Sequence, residues 1–337
     1  MSQERSRSTD IWNTWSYSKL TTLYTCPLQF WFQYVLSLRA PTATMLAVGS
    51  ALHFMAYRFF SVRYKSAESF ASEWKHFWNG VVQSEHGPSS YDPRISRPVS
   101  IAWENGNQSG YWFHKGGEML AGFYGRHIQH REPSANGVVI GAKAEHSFRR
   151  LAWRCYSLSG QIDRIDEYPD HVEIIDYKMG AEADIMVQGS LQPIFYQLAY
   201  ELVLKNERFH GKPLRSIRIE NLISGKEQEA GLATAAQIDT FNGYLAEAST
   251  FVRAILERRQ PHLIEAPLTT LHPRGVADGI FYPRLPRGNH CKNCIFMVQC
   301  RDWEQKQPTP ARDVWLEELW QRYLRESSDQ PQLKFEK

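Results

Sequence analysis

Three charged side chains on two neighbouring segments could do chemistry together. Asp163 lies in the run of residues 160–168, and Asp176 and Lys178 lie at the end of the run 171–178. Side chains alternate along a strand, so Asp176 and Lys178 should point to the same face. Two adjacent carboxylates repel each other unless a divalent cation lies between them, and such oxygen ligands suit Mg²⁺ or Mn²⁺. The two runs therefore predict a site that combines a metal with a lysine.

A hairpin must position these residues. The turn signal Tyr168-Pro-Asp170 separates the two runs, and the second run alternates apolar and polar residues from Val172 onward. A tight hairpin would place Asp163 near Asp176. From these residues alone, an ordinary surface hairpin with a lysine–aspartate pair is the alternative.

Two further pairs of residues lie one turn apart on predicted helices. They are Gly49 with His53, and Gln192 with Tyr196. We expect Gly49 to leave space beside its helix, and an imidazole with carboxylates suits Mn²⁺ as well as Mg²⁺. Taken alone, the histidine is typical of a core or surface residue, and the second pair of an exposed glutamine with a core tyrosine.

The five cysteines form a third constellation. An odd number in an apparently intracellular chain argues for metal thiolates and one bystander, Cys155, over a disulfide framework. The other four are Cys26, Cys291, Cys294 and Cys300. Four thiolates could bind zinc or a [4Fe–4S] cluster, and their spacing leaves both open. His290 is an alternative ligand.

Together these motifs resemble the PD-(D/E)XK nucleases, and specifically the RecB-like branch. That branch includes CRISPR-associated RecB-like exonucleases, the AddB nuclease domain and the exonuclease V family. The resemblance rests on Gly160-x-Ile-Asp-Arg164, Ile175-Asp-Tyr-Lys178, Gly49-x-x-x-His53, Gln192-x-x-x-Tyr196 and the four cysteines, all in the expected order.

The resemblance implies a role for each residue of the central site. His53, Asp163 and Asp176, joined by the backbone carbonyl of Tyr177, would hold Mg²⁺ or Mn²⁺. Lys178 would orient or deprotonate the attacking water.

The resemblance also implies roles for three residues around that site. Gln192 and Tyr196 would contact DNA and help to position the active site. Family members often have an acidic residue where Glu145 ends a predicted strand. This position gives Glu145 a supporting or second-metal role, with a plain strand-end glutamate as the alternative.

One group of the family holds an iron–sulfur cluster with one N-terminal cysteine and a C-terminal triplet. The resemblance therefore favours a [4Fe–4S] cluster on Cys26, Cys291, Cys294 and Cys300, with structural Zn²⁺ as the alternative. Its role would be structural, because it would join the N- and C-terminal segments and its binding energy would become folding energy.

The predicted fold class is α/β, with a restriction-endonuclease-like core of helix, three strands, helix and strand, and with helical insertions. Residues 1–15 are expected to be a disordered tail, 16–303 a single RecB-like nuclease domain with a helical insertion at 61–137, and 304–337 a C-terminal helix and tail. The expected helices are 16–26, 28–36, 44–60, 67–81, 110–130, 188–205 and 235–259. The expected strands are 138–145, 153–160, the two hairpin runs, and 214–223.

Composition sets broader bounds. With 337 residues and 42% hydrophobic residues the chain can bury a large core. A net charge of +3 means that any nucleic-acid surface must be a local patch. The chain lacks an apolar run that could span a bilayer or serve as a signal core, so we expect a cytoplasmic protein with no membrane partner. Aromatic residues such as Trp74, Trp78, Trp103 and Trp112 could face DNA, but core packing is the favoured interpretation.

The functional expectation is a metal-dependent DNA nuclease. We expect a single-stranded DNA exonuclease in DNA repair, recombination or phage-related defence, with a helicase or single-strand-binding protein as a partner. The alternatives are a structure-selective endonuclease and a DNA-end-binding scaffold that does not cleave.

Overall fold

The computed structural model describes most of the chain. It covers residues 12–35, 42–62, 64–83, 101–102, 109–128, 141–179 and 191–257, with residues 291, 294, 296, 297 and 300. The strands are β1 (Thr14–Trp15), β2 (Thr42–Ala43), β3 (Ile101–Ala102), β4 (Gly141–Trp153), β5 (Tyr156–Glu167), β6 (Val172–Lys178), β7 (Leu214–Asn221) and β8 (Glu227–Glu229). The helices are α1 (Tyr17–Thr25), α2 (Pro27–Phe30), α3 (Thr44–Ser61), α4 (Ala67–Gln83), α5 (Ser109–His127), α6 (Gln192–Ala199), α7 (Lys205–Arg208) and α8 (Ala235–Glu257).

The strands form a mixed sheet. Six of the described strands share the hydrogen-bond order β1-β5-β6-β7-β8, with β4 also paired to β5, and β2 pairs with β3 separately. β5 and β6 are antiparallel, whereas β6 and β7 are parallel. Parallel neighbours need a long crossover, and α6 and α7 lie in it. This order of helix, three strands, helix and strand is the predicted one and is compatible with a restriction-endonuclease-like fold.

The chain divides into two compact units. Of the described residues, those within 41–148 and 161–232 form the sheet unit, and those within 1–40, 149–160 and 233–337 form the terminal unit.

Apolar faces of three helices build the core of the sheet unit. α3 buries residues at helical spacing, among them Val48, Met55 and Phe59, and these pack with α4 and α5 and with Ile175 of β6. Of the four tryptophans that could have faced DNA, Trp74 and Trp78 are buried in this core and Trp112 packs against it. The packing interpretation is confirmed for these three, and Trp103 lies outside the described residues.

The terminal unit is held by its first helix and α8. The side chain of Ser16 accepts a hydrogen bond from the backbone N–H of Lys19 and so caps α1. Trp15 is fully buried, and its Nε1 donates to Oγ of Ser249 at 3.0 Å. Residues 1–11 lie outside the described residues, but β1 pairs with β5, so ordered structure begins before residue 16. A two-residue strand is too short to leave a periodic signal in the sequence.

Several predicted boundaries differ from the structure. The expected helix 28–36 is α2 followed by a wider π-helical turn at Trp31–Val35. The described part of the expected helix 188–205 is α6 and a second π-helical turn at Tyr200–Leu204. A period of 3.6 residues does not reveal such turns. β5 runs through Gly160 without a break, because strand pairing continues on both sides of it, and residues 304–337 lie outside the described part of the chain.

Two glycines on α5 give a test of this packing. A Cβ at Gly116 would lie 2.5 Å from the ring of the buried Trp74, whereas a Cβ at Gly125 would have no described residue beyond its own helix backbone within 4 Å. In Gly116→Ala, overpacking should lower the free energy of unfolding by about 1–3 kcal/mol. The better helix propensity of alanine should offset about 1 kcal/mol of this loss. Gly125→Ala, the matched control, should raise it by about 1 kcal/mol. Denaturant unfolding measures both, and equal effects at the two positions would contradict the predicted contact with Trp74.

Candidate metal and lysine site

The β5–β6 hairpin brings the two candidate carboxylates together. The last pair of the antiparallel ladder is Arg164 with Ile175, so Asp163 and Asp176 lie one step beyond it, opposite each other. There Oδ2 of Asp163 accepts the backbone N–H of Tyr177 at 2.9 Å. The predicted hairpin is confirmed. Its turn closes with a hydrogen bond from the N–H of Tyr168 to the carbonyl of His171.

Lys178 lies beside Asp176, as strand alternation predicts. Its Nζ is 2.6 Å from Oδ2 of Asp176, and the side chains are 24% and 3% exposed. The contact is an ion pair, and this buried oxygen accepts no well-aligned hydrogen bond among the described residues. Oδ2 of Asp176 therefore keeps lone pairs that a cation could use.

α3 brings His53 to the same site. Nδ1 of His53 lies 3.3 Å from Oδ1 of Asp163, a distance at which its N–H donates to the carboxylate. With the proton on Nδ1, the neutral imidazole has its free lone pair on Nε2, which is the form that binds a metal. A Cβ at Gly49 would meet only Sδ of Met179 among the described residues, at 3.6 Å, an ordinary contact. The neighbouring protein atoms therefore do not require a glycine at position 49.

Burial and mutual charge set the protonation of the site. Burial raises the pKa of Asp163, but the charge and hydrogen bond of His53 outweigh it and hold this pKa below its usual value. Burial also raises the pKa of Asp176. The charge of Lys178 opposes this effect and that of Asp163 adds to it, so the pKa stays above its usual value. For His53 burial lowers the pKa, but Asp163 reverses the shift and raises it.

These features fit a divalent cation. A buried carboxylate that is hard to ionise beside a second carboxylate is stabilised when a cation replaces the proton. The donors available are carboxylate oxygens and one imidazole, which suit Mg²⁺ or Mn²⁺. Within the described part of the chain, no three His, Cys, Asp or Glu side chains are already gathered at metal-binding distance. These donors would therefore have to close on the ion.

Gln192 and Tyr196 both reach Asp176. The hydroxyl of Tyr196 donates to Oδ1 of Asp176 at 2.5 Å, and Nε2 of Gln192 donates to the same oxygen at 3.1 Å and to the tyrosine hydroxyl at 2.5 Å. Burial and then the charge of Asp176 hold the pKa of Tyr196 well above its usual value, so the hydroxyl remains a donor. Both residues therefore hold one oxygen of Asp176 while the other faces Lys178.

Two other predicted site residues are placed less completely. Glu145 lies within β4, and its side chain is outside the described residues. Tyr177 lies between Asp176 and Lys178, with its ring buried.

Residues behind the site were missed by the sequence interpretation. Arg164 and Asp166 follow Asp163 on β5, and both are buried in contact with each other. His127 and Glu220 are also buried and paired. The available signal was that Arg164 and Asp166 occupy the alternate positions that follow the buried Leu158 and Ile162 on one face of β5.

The four candidate cluster cysteines are all described and lie in the terminal unit. Burial raises the pKa of the Cys26 thiol to about 11. The backbone N–H groups of Gln29 and Leu28 act in the opposite direction and lower this pKa. The thiols of Cys294 and Cys300 are close enough to Cys26 to raise that pKa further. None of the five cysteines forms a disulfide, and Cys155 is exposed.

The fold and the site define a class of protein. Buried carboxylates with a lysine and a histidine, gathered where the β5–β6 ladder ends, form a site suited to metal-assisted hydrolysis. The family model of the PD-(D/E)XK nuclease superfamily matches residues 14–301, and the chain belongs to this superfamily. Membership supports a metal-dependent nuclease with DNA as its substrate and with Mg²⁺ or Mn²⁺ as the usual ion. No curated protein matches the chain. No described helix has the length and apolar character that crossing a membrane requires.

Removing the hydroxyl of Tyr196 tests its role on Asp176. Tyr196→Phe should raise the Mg²⁺ concentration for half-maximal cleavage about tenfold, because groups that orient a metal ligand typically contribute 10–100-fold to metal affinity. Metal titrations of DNA cleavage measure this. Tyr200→Phe is the control, since the Tyr200 hydroxyl donates to the carbonyl of Lys212 instead. A weaker affinity for DNA with an unchanged Mg²⁺ requirement would show that Tyr196 contacts the substrate.

Proposed function

We propose that the protein is a metal-dependent DNA nuclease of the RecB-like branch that degrades single-stranded DNA from an end. The observation that carries this proposal is the convergence of His53, Asp163, Asp176 and Lys178 at the end of the β5–β6 ladder. The motif resemblance at residues 49–53 and 192–196 supports the branch.

The residues divide the work of phosphodiester hydrolysis. His53, Asp163, Asp176 and the carbonyl of Tyr177 would hold the Mg²⁺ or Mn²⁺, which supplies stabilisation of negative charge on the phosphate. Lys178, partly exposed and ion-paired with Asp176, orients the attacking water as an ammonium or, in its neutral form, accepts the proton of that water.

The residues around the site position it and the strand. Tyr196 is buried and acts through Asp176, whereas the half-buried Gln192 can both hold Asp176 and contact the DNA. Glu145 would support the site as a further acidic residue.

The mode of cleavage is a separate choice. A site with two carboxylates and one lysine at the end of the β5–β6 ladder has room for one phosphodiester at a time, and an unpaired strand bends into it more readily than a duplex. The conjunction of His53, both carboxylates and Lys178 argues against a scaffold that binds DNA ends without cleavage. A structure-selective endonuclease is the second candidate. A helicase or single-strand-binding protein would supply the strand in DNA repair, recombination or phage-related defence.

Three substrates distinguish these modes in Mg²⁺. The protein should degrade linear single-stranded DNA from an end, spare a closed single-stranded circle, and cut blunt duplex slowly. Lys178→Ala should lower cleavage of the linear strand at least about 100-fold, as expected for a proton-transfer residue, with unchanged DNA affinity and thermal stability.

Lys205→Ala is the control for that experiment. Lys205 of α7 forms an exposed ion pair with Glu201 of the preceding π-helical turn. Gel analysis of end-labelled strands gives the rates. Rapid linearisation of the circle would favour the endonuclease. Tight DNA binding without cleavage would favour the scaffold, and near-full activity of Lys178→Ala would remove the lysine from the mechanism.

We also propose that Cys26, Cys291, Cys294 and Cys300 hold a [4Fe–4S] cluster, with Zn²⁺ as the alternative. The support is the proximity of the thiols together with backbone N–H groups that face two of them, those of Gln29 and Leu28 at Cys26 and that of Phe296 at Cys294. Hydrogen bonds of this kind stabilise cluster sulfurs. The ring of Phe296 also packs against Phe32, with centroids 5.8 Å apart. The cluster would reinforce this contact between distant parts of the chain.

Iron content tests the cluster. Anaerobically purified protein should be brown, with about four irons per chain, the content of one such cluster. Cys26→Ser should lose iron and folding yield together, whereas Cys155→Ser, at the exposed cysteine, should retain both. Metal analysis and the visible spectrum give the answer, and colourless protein with one zinc would refute the cluster.

A further inference from the structure

A chain of buried polar side chains lies directly behind the candidate site. Its members, called the buried chain below, are Arg164 and Asp166 of β5, Tyr177 of β6, Arg126 and His127 of α5, and Glu220 of β7. All except Arg126 are almost fully buried. Nε and Nη2 of Arg164 donate to the two carboxylate oxygens of Asp166 at 2.6 and 2.5 Å, a bidentate pair.

The buried chain extends from Arg164 to a neighbouring strand and helix. Nη1 of Arg164 donates to the Tyr177 hydroxyl at 3.1 Å and to Nδ1 of His127 at 3.2 Å. Nε2 of His127 lies 2.9 Å from both oxygens of Glu220. Because Nδ1 accepts from a guanidinium that keeps its protons, the histidine proton lies on Nε2 and is donated to Glu220. Arg126 also donates to Glu220, at 3.0 Å.

Stability alone does not require such a chain of buried polar side chains. Replacing buried ion pairs with well-packed apolar residues is often neutral or stabilising, so their presence points to a requirement for a defined geometry. The surroundings are already apolar and aromatic. The Arg164 guanidinium lies 4.7 Å from the centre of the Phe60 ring, and the rings of His127 and Phe123 are 4.4 Å apart.

The buried chain joins the two strands at the place where their ladder ends. Arg164 is the residue after Asp163, and Tyr177 lies between Asp176 and Lys178. Two hydrogen bonds therefore cross between β5 and β6 beside the site. One runs from Arg164 to the Tyr177 hydroxyl, and the other from the Tyr177 N–H to Asp163. Together they fix Tyr177 by both its side chain and its backbone.

We propose that Arg164, Tyr177, His127 and Glu220 are positioning residues that set the separation of Asp163 and Asp176 for a divalent cation. This inference rests on the proposed metal-dependent function. The side chains of the positioning residues act from behind the strands, through the backbone of Tyr177 and Arg164, and touch neither the ion nor the DNA.

Tyr177→Phe tests the proposal, because it removes the hydroxyl and keeps the ring and the backbone carbonyl. In the full chain without DNA, calorimetric titration should show that the variant binds Mn²⁺ about tenfold more weakly than the wild type. This is the size of effect typical of groups that orient metal ligands. Excess Mn²⁺ should restore the maximal cleavage rate to near that of the wild type. Tyr200→Phe, which removes another buried tyrosine hydroxyl of the sheet unit, should leave Mn²⁺ binding unchanged.

Failure of this inference is distinguishable from failure of the proposed function. If the wild type binds Mn²⁺ and cleaves DNA but Tyr177→Phe binds Mn²⁺ equally tightly, the buried chain is only structural. If the wild type neither binds Mn²⁺ nor cleaves DNA, the metal-dependent function itself is wrong. Glu220→Gln serves as the second variant if Tyr177→Phe does not fold. It keeps the shape of the side chain and should also weaken Mn²⁺ binding, and unchanged binding would overturn the proposal.

Discussion

Two carboxylates that lie close together and away from water are the constraint on which the sheet unit depends. Asp163 and Asp176 face each other just beyond the last pair of the β5–β6 ladder, whereas β6 stays paired with β7 through Lys178. Burial and mutual repulsion both oppose ionisation of Asp176. A fold can keep such a pair only by surrounding it with donors and positive charge, and by leaving a place for a cation.

The neighbours of the pair meet this requirement from several elements. α3 supplies His53 to Asp163, α6 supplies the hydroxyl of Tyr196 to Asp176, and β6 supplies Lys178 two residues after Asp176. Each of these contacts involves only one oxygen of a carboxylate and leaves that carboxylate further lone pairs. A cation could use these lone pairs. These contacts hold the two carboxylates from three elements, and the donors would still have to close on the ion.

Some of this arrangement could be predicted and some could not. The turn at Tyr168-Pro-Asp170 and the alternation after it predict the hairpin, and with it the proximity of Asp163 to Asp176, because register follows from a tight turn and a period of two. The apolar spacing of 44–60 likewise predicts α3. The contact of Tyr196 with Asp176 was not predicted. Their separation of 20 residues is closed by a crossover connection that leaves no local pattern.

The sequence by itself determined the residue types, their order and the local elements that carry them, because hydrophobic period, turn residues and motif spacing are local properties. Only the tertiary structure decided that Gln192 and Tyr196 bind a carboxylate, that the tryptophans at 74 and 78 belong to the core, and that Arg164 pairs with Tyr177 and His127. These contacts join strands and helices far apart in the chain. Their formation depends on which faces meet when the core is packed, and a linear pattern does not contain that information.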